Sequence, residues 1–189
     1  MAFILASASP RRKELFSLIT PTFSVVTADV DETIFPGTSP HQAVEMLSRQ
    51  KALAVSQQHP QDIVIGSDTV VALKDRILGK PHDRQDAIDM LRALSGQTHT
   101  VFTGVCIVFP GKEVCFYERT DVTFAQMDAH EIENYVASGD CYDKAGAYGI
   151  QGIGARYISR IVGDYYTVMG LPVQALYQAL RQNGLLPPN

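Results

Sequence analysis

Residues 63–73 read IVIGSDTVVAL. Isoleucine, valine and threonine dominate the run, and β-branched side chains favour extended backbone. The stretch therefore reads as a buried strand, interrupted in its middle by Asp68. A carboxylate in apolar surroundings needs a partner, a metal ion or a raised pKa. The plainer alternative is that Asp68 caps a local turn.

Working outward, AFILAS predicts a strand at 2–7, followed by a helix over 10–19 that opens with Ser9-Pro10, a cap serine and a first-turn proline. FSVVTA gives a second strand near 22–28. Ser39-Pro40-His41-Gln42 is a capping box that starts a helix running to about Gln58, with Ala43, Met46, Leu47, Leu53 and Ala54 at helical spacing. Downstream of the opening stretch, Lys74-Asp75 reads as a tight turn. Asp83 to Ser95 is a helix stopped by Gly96. Two long β-rich runs flank Pro110-Gly111-Lys112, the clearest hairpin signal in the chain. A helix from Asp128 to Gly139, a glycine-rich loop, the strand RYISRIV and a last helix from Pro172 complete the order. Helices interleaved with a hairpin and buried single strands imply an α/β fold with a mixed sheet. LLPPN at 185–189 reads as a short tail.

Length and composition limit the function. The chain has 189 residues, 46% of them hydrophobic, enough for one large domain or two closely joined lobes. A net charge of −4 argues against a general binder of nucleic acid or anionic membrane. Any anion site must be local. No run reaches transmembrane length and the N-terminus lacks signal-peptide order, so a cytoplasmic protein is expected. Cys106, Cys115 and Cys141 show no metal spacing and read as ordinary thiols in a reducing compartment. The histidines form no metal pattern.

Local charge is concentrated in SASPRRK (residues 7–13). A helix N-terminus attracts anions, and arginines placed there add charge-assisted phosphate contacts. Otherwise Arg11, Arg12 and Lys13 point to solvent against the helix dipole. Asp29, Asp31 and Glu32 in VTADVDETI form an acidic loop. It is either solvated or, with Asp68, a way of holding Mg²⁺ against a phosphate. Lys51, Lys80 and Lys144 stand in the contexts RQKALA, LGKP and DKAGAYGIQG. The glycines of AGAYGIQGIG allow close approach to a ligand or simple flexibility, and Tyr148 and Gln151 there are candidates for stacking and base-edge recognition.

In order along residues 3–172, ILASASPRRKELF, DVDE, RQKALA, IGSDTVV, ILGKP, LSGQTHTVFTGV, DKAGAYGIQG and GDYYTVMGLP resemble the Maf-like nucleoside triphosphate pyrophosphatases. The resemblance implies a single domain over 1–189, made of two lobes with a mixed, strongly twisted sheet, flanking helices and a nucleotide cleft. It implies hydrolysis between the α- and β-phosphates of a nucleoside triphosphate. Asp68 falls at the family's proton acceptor. Ser7, Arg12, Lys51 and Lys80 fall around the phosphates, with Lys80 and Arg12 in the catalytic set, and Lys144 on the substrate. Glu32 falls, with Asp68, on a divalent metal ion, Mg²⁺ or Mn²⁺. Arg11, Thr69 and Gln151 match the specificity positions of the dTTP/UTP-hydrolysing branch. A glutamine amide can both donate to and accept from a pyrimidine edge. The resemblance also implies a homodimer. A 7-methyl-GTP pyrophosphatase and a nucleotide-binding regulator of septum formation are the alternatives. The AYGIQG loop speaks against the first and the intact acids against the second.

Overall fold

The computed structural model describes residues 1–74 and 76–186. Asp75 and the last three residues of LLPPN lie outside the described residues.

The elements run β1 (Phe3–Ala6), α1 (Pro10–Ser17), β2 (Ser24–Val25), α2 (Pro40–Ser56), β3 (Ile63–Leu73), β4 (Arg76–Leu78), α3 (Arg84–Leu94), β5 (Thr98–Phe109), β6 (Lys112–Phe124), α4 (Ala129–Ala137), β7 (Ile158–Val162), α5 (Tyr165–Met169) and α6 (Val173–Gln182). Two short 3₁₀ segments, Ala145–Ala147 and Gly152–Tyr157, lie between α4 and β7. Among the described residues, seven strands form one sheet in the order β2-β1-β3-β5-β6-β7, with β4 paired to β3. It is mixed: β1 runs parallel to β2 and β3, while β3–β4 and β6–β7 are antiparallel. The predicted α/β class and mixed sheet are thus present. The second strand is shorter than expected. Only Ser24 and Val25 pair with β1, and both are exposed.

Backbone contacts divide the chain into two compact units. The first comprises residues 1–68, 103–118 and 170–189, the second 69–102 and 119–169. In the first, Ile4, Ala6, Ala52, Val55, Val64 and Cys106 form a buried cluster that joins β1, α2, β3 and β5. Helix α2 lies unusually close to the sheet. A side chain on Gly66 of β3 would collide with the Ser48 carbonyl and Ala52, and one on Gly104 of β5 with the Val44 carbonyl. Glycine inside a strand commonly marks such an approach. The start of α2 is fixed by Gln42, whose Oε1 accepts from the Ser39 amide at 3.2 Å and the Ser39 hydroxyl at 2.8 Å.

The cysteines depart from the expected three unpaired thiols. Cys106 and Cys115 form a disulfide, their Cα atoms 4.1 Å apart, and Cys141 is free and buried. Pro110 and Gly111 form the turn between β5 and β6, and the two cysteines stand equally far from it on facing strands. Counting spacings along the chain misses this, because the pairing arises from hairpin register. A reducing compartment therefore no longer follows from the cysteines.

In the second unit Leu91 and Leu94 of α3, Ile132 and Val136 of α4, and Phe124 of β6 share a core with Tyr148 and Tyr157. His99 is buried within this core. Its Nε2 lies 2.7 Å from the Tyr148 hydroxyl, while its Nδ1 has no hydrogen-bond partner among the described residues. Burial lowers the His99 pKa to about 4, against a weaker upward pull from Asp121.

Gly66→Ala should cost about 1–3 kcal/mol through overpacking, seen as a lower denaturant midpoint at unchanged slope. Gly79→Ala, where a Cβ meets nothing within 4 Å, should stay within about 0.5 kcal/mol. His99 is protonated more readily unfolded than folded, so its contribution is complete above its ordinary pKa near 6.5 and is lost as pH falls towards about 4. Denaturation of His99→Gln across that window should therefore show a shallower acid loss than the unsubstituted protein.

Candidate active site

Strands β1 and β3 are parallel, with Ala6 paired to Gly66. Ligands of α/β sheets gather beyond the carboxyl ends of parallel strands. Beyond that pair lie Ser7, buried at the end of β1, and Ser67 and Asp68, both buried. The turn after β1 leads straight into α1, whose cap Ser9 accepts from the Arg12 amide at 3.4 Å.

Asp68 has a partner. The Lys51 ammonium, buried on α2, donates to Asp68 Oδ1 at 2.6 Å. The same nitrogen stands 2.8 Å from Glu32 Oε1. Two of the alternatives open for Asp68 thereby separate: the carboxylate is ion-paired across elements and does not cap a local turn. The close seating of α2 at Gly66 explains the reach, because Lys51 directly precedes Ala52, the residue packed on that glycine.

The acidic loop is also resolved residue by residue. Asp31 is engaged locally. Its Oδ1 accepts from the Thr33 amide at 2.9 Å and the Thr33 hydroxyl at 2.6 Å, and these bonds lower its pKa. Glu32, the next residue, is the one that reaches Lys51.

Arg12 turns inward. Its Nε donates to the Gly170 carbonyl at 2.8 Å and its Nη1 to the Ser67 carbonyl at 2.8 Å, with Ser7 Oγ at 3.5 Å. The Ser67 hydroxyl donates to the same Gly170 oxygen at 3.1 Å. Burial lowers the Arg12 pKa; Asp68 and Glu32 oppose the shift, and the neighbouring Arg11 adds to it. The guanidinium remains charged at any physiological pH. Neither Ser67 nor Gly170 stands out in the sequence as a site residue. The available signal is a glycine ahead of Leu171-Pro172, and Gly170 indeed takes a φ of +111° that side chains rarely adopt.

Ser7, Arg12, Glu32, Lys51 and Asp68 thus belong to one cluster in the first unit, with Arg11 half-buried on the same helix as Arg12. Thr69, Lys80, Lys144 and Gln151 belong to the second unit. Lys80 is exposed after β4, and Gln151 is exposed just ahead of the second 3₁₀ segment. The Lys144 ammonium donates to the Asp140 carbonyl at 2.7 Å, to Asp140 Oδ1 at 3.0 Å and to Asp143 Oδ1 at 2.7 Å. Tyr148 is not available for stacking on a ligand. Gly146 and Ala147, with φ of 70° and 59°, turn the chain so that its ring packs edge-on against Phe124 and His99.

For a divalent metal ion, the donor chemistry is informative. Among the described residues no three histidine, cysteine, aspartate or glutamate side chains stand together as a metal cage. Mg²⁺ commonly uses one or two carboxylates and takes its remaining ligands from water and substrate phosphates. Glu32 and Asp68, brought to one ammonium, fit that pattern.

Comparison with known proteins bears on the chain as a whole. The profile of the family described as "Maf-like protein" matches residues 2–183. A Bacillus cytotoxicus protein named dTTP/UTP pyrophosphatase is 51% identical over 180 residues, covering 95% of this chain and 94% of its own length. A Bacillus cereus protein of the same name is 50% identical over 179 residues, with the same coverage. Among solved structures, the Staphylococcus aureus Ham1 protein superposes with a TM-score of 0.58 over 97% of this chain and 100% of that one. At 15% identity that likeness concerns the fold alone. With half of its residues shared over nearly its full length and the profile matched throughout, the chain belongs to the Maf-like protein family.

Proposed function

We propose that this protein is a nucleoside triphosphate pyrophosphatase that hydrolyses dTTP and UTP to the monophosphate and pyrophosphate. The carrying observation is a buried carboxylate, Asp68, held among Lys51 and Arg12 just past the point where the parallel pairing of β1 with β3 ends. The chain that presents it is half identical to proteins named for this activity.

The chemistry follows from the residue types. Water adds to phosphorus at the α–β anhydride, that bond breaks, and pyrophosphate leaves. Asp68 accepts the proton of the attacking water. Such positioned general bases contribute roughly 10²–10⁴-fold. Lys51, Lys80 and Arg12 offset charge on the phosphate oxygens as it redistributes. Ser7 adds a hydroxyl donor, and Lys144 a further cation for the substrate. Glu32 and Asp68 would hold Mg²⁺ or Mn²⁺, which when bound supplies charge neutralisation on the phosphates. Arg11, Thr69 and Gln151 are assigned to nucleotide choice on the resemblance alone, which matches them to the specificity positions of the dTTP/UTP-hydrolysing branch. A cytoplasmic location and a homodimer belong to the same reading, on the family resemblance.

Pyrophosphate release from a panel of triphosphates, measured with Mg²⁺ or Mn²⁺ supplied, is the direct test. dTTP and UTP should lead; release from none of the panel would overturn the assignment. Asp68→Asn should lose about 10²–10⁴-fold in turnover while still binding nucleotide, and full activity would remove Asp68 from its role. Gln151→Glu should reorder the substrates with little change in melting temperature, since the residue is exposed. An unaltered order would reject it as a reader of the base.

A further inference from the structure

Lys51 is buried in a specific way. Its side chain is 10% exposed, as is that of Asp68, whereas that of Glu32 is 55% exposed. One ammonium therefore joins a buried carboxylate from β3 to an exposed one from the loop after β2. These are the two acids that the proposed function gives to the metal ion. An ammonium between two carboxylate oxygens, at 2.6 and 2.8 Å, occupies the position from which a small cation would contact both. A divalent ion and the ammonium repel each other strongly at such separations.

We infer that Lys51 is a stand-in cation. It holds Asp68 and Glu32 together in the nucleotide-free protein and keeps a divalent metal ion off them until a triphosphate arrives. Displacing Lys51 without a new acceptor would leave a buried ammonium unpaired, and breaking one side of a buried ion pair is strongly unfavourable. A triphosphate supplies that acceptor: phosphate oxygens take the ammonium's hydrogen bonds, and the two acids are released to the metal. Metal and nucleotide thereby bind cooperatively, each raising the other's affinity by the same factor. The device also limits loading of the acids by metal alone. This inference rests on the proposed function for the identity of the two ligands, and it concerns binding, not turnover.

The test measures binding of Mn²⁺ alone, from the paramagnetic resonance signal of the free ion, with no nucleotide present. Lys51→Met and Lys51→Gln should each bind Mn²⁺ at least about tenfold tighter than the unsubstituted protein, because the competing charge is gone. Equal or weaker binding in folded variants, verified by circular dichroism, would overturn the inference. Gln retains an amide donor for Asp68 and serves if Met fails to fold. The unsubstituted protein gives an independent reading. Mn²⁺ should bind at least about tenfold tighter to the protein with α,β-imido-dTTP than to either component alone, and merely additive binding would overturn the inference without any variant. Pyrophosphate release from dTTP by the unsubstituted protein separates the two ideas. Turnover with unchanged Mn²⁺ binding in the Lys51 variants rejects only the stand-in cation, whereas tighter binding without turnover rejects only the pyrophosphatase reading.

Discussion

The seating of α2 on β3 and β5 is the constraint on which the rest of the site depends. Gly66 and Gly104 leave no side chain between helix and sheet, so helix backbone meets strand backbone. That approach lowers Lys51 into a buried position, within reach of a carboxylate in the middle of an otherwise apolar strand. An unpaired buried carboxylate carries a penalty of several kcal/mol, and the Lys51 ammonium offsets it at Asp68. Two glycines and one lysine therefore decide whether β3 can carry an acid at all. Glu32, on a loop whose turn is tied by Asp31 and Thr33, supplies the second carboxylate from outside the core.

The cations at the start of α1 look unfavourable when only the helix is considered. The dipole penalty is about 0.3–1 kcal/mol at an exposed position. Arg12 donates to the Ser67 and Gly170 carbonyls, and hydrogen bonds that involve a charged group contribute about 1.5–3 kcal/mol each. The bonds outweigh the dipole. They also fix the peptide immediately before Asp68, so Arg12 helps set the direction of the strand that carries the acid. Its charge is buried beside Asp68 and Glu32, and their potential opposes the loss of its hydration.

Much of this was legible in the sequence because it is local. The bounds of β3 follow from one β-branched run, and the helices starting near Pro10, Pro40, Asp83 and Asp128 announce themselves through their caps. Asp68 stood out as a lone acid in an apolar stretch. What the sequence concealed depends on register and packing across the chain. The Cys106–Cys115 disulfide needs the facing strands of a hairpin. The inward turn of Tyr148 follows from two consecutive left-handed residues, one of them an alanine. FSVVTA has the composition of a longer strand, yet it sits at the sheet edge, where only two of its residues pair. Asp31 is engaged by Thr33 while Glu32 reaches Lys51, a division that only the folded loop displays.

Neither compact unit is a continuous piece of chain. The backbone passes from one to the other at 68/69, 102/103, 118/119 and 169/170, and the first three passages fall inside β3, β5 and β6. Cutting the polypeptide at any of those three would sever a strand. The order of synthesis is affected too. Arg12 lies 158 residues ahead of Gly170, whose carbonyl is its Nε acceptor. During translation that hydrogen bond therefore waits until Gly170 has emerged, and the Arg12 guanidinium keeps water on that side until then.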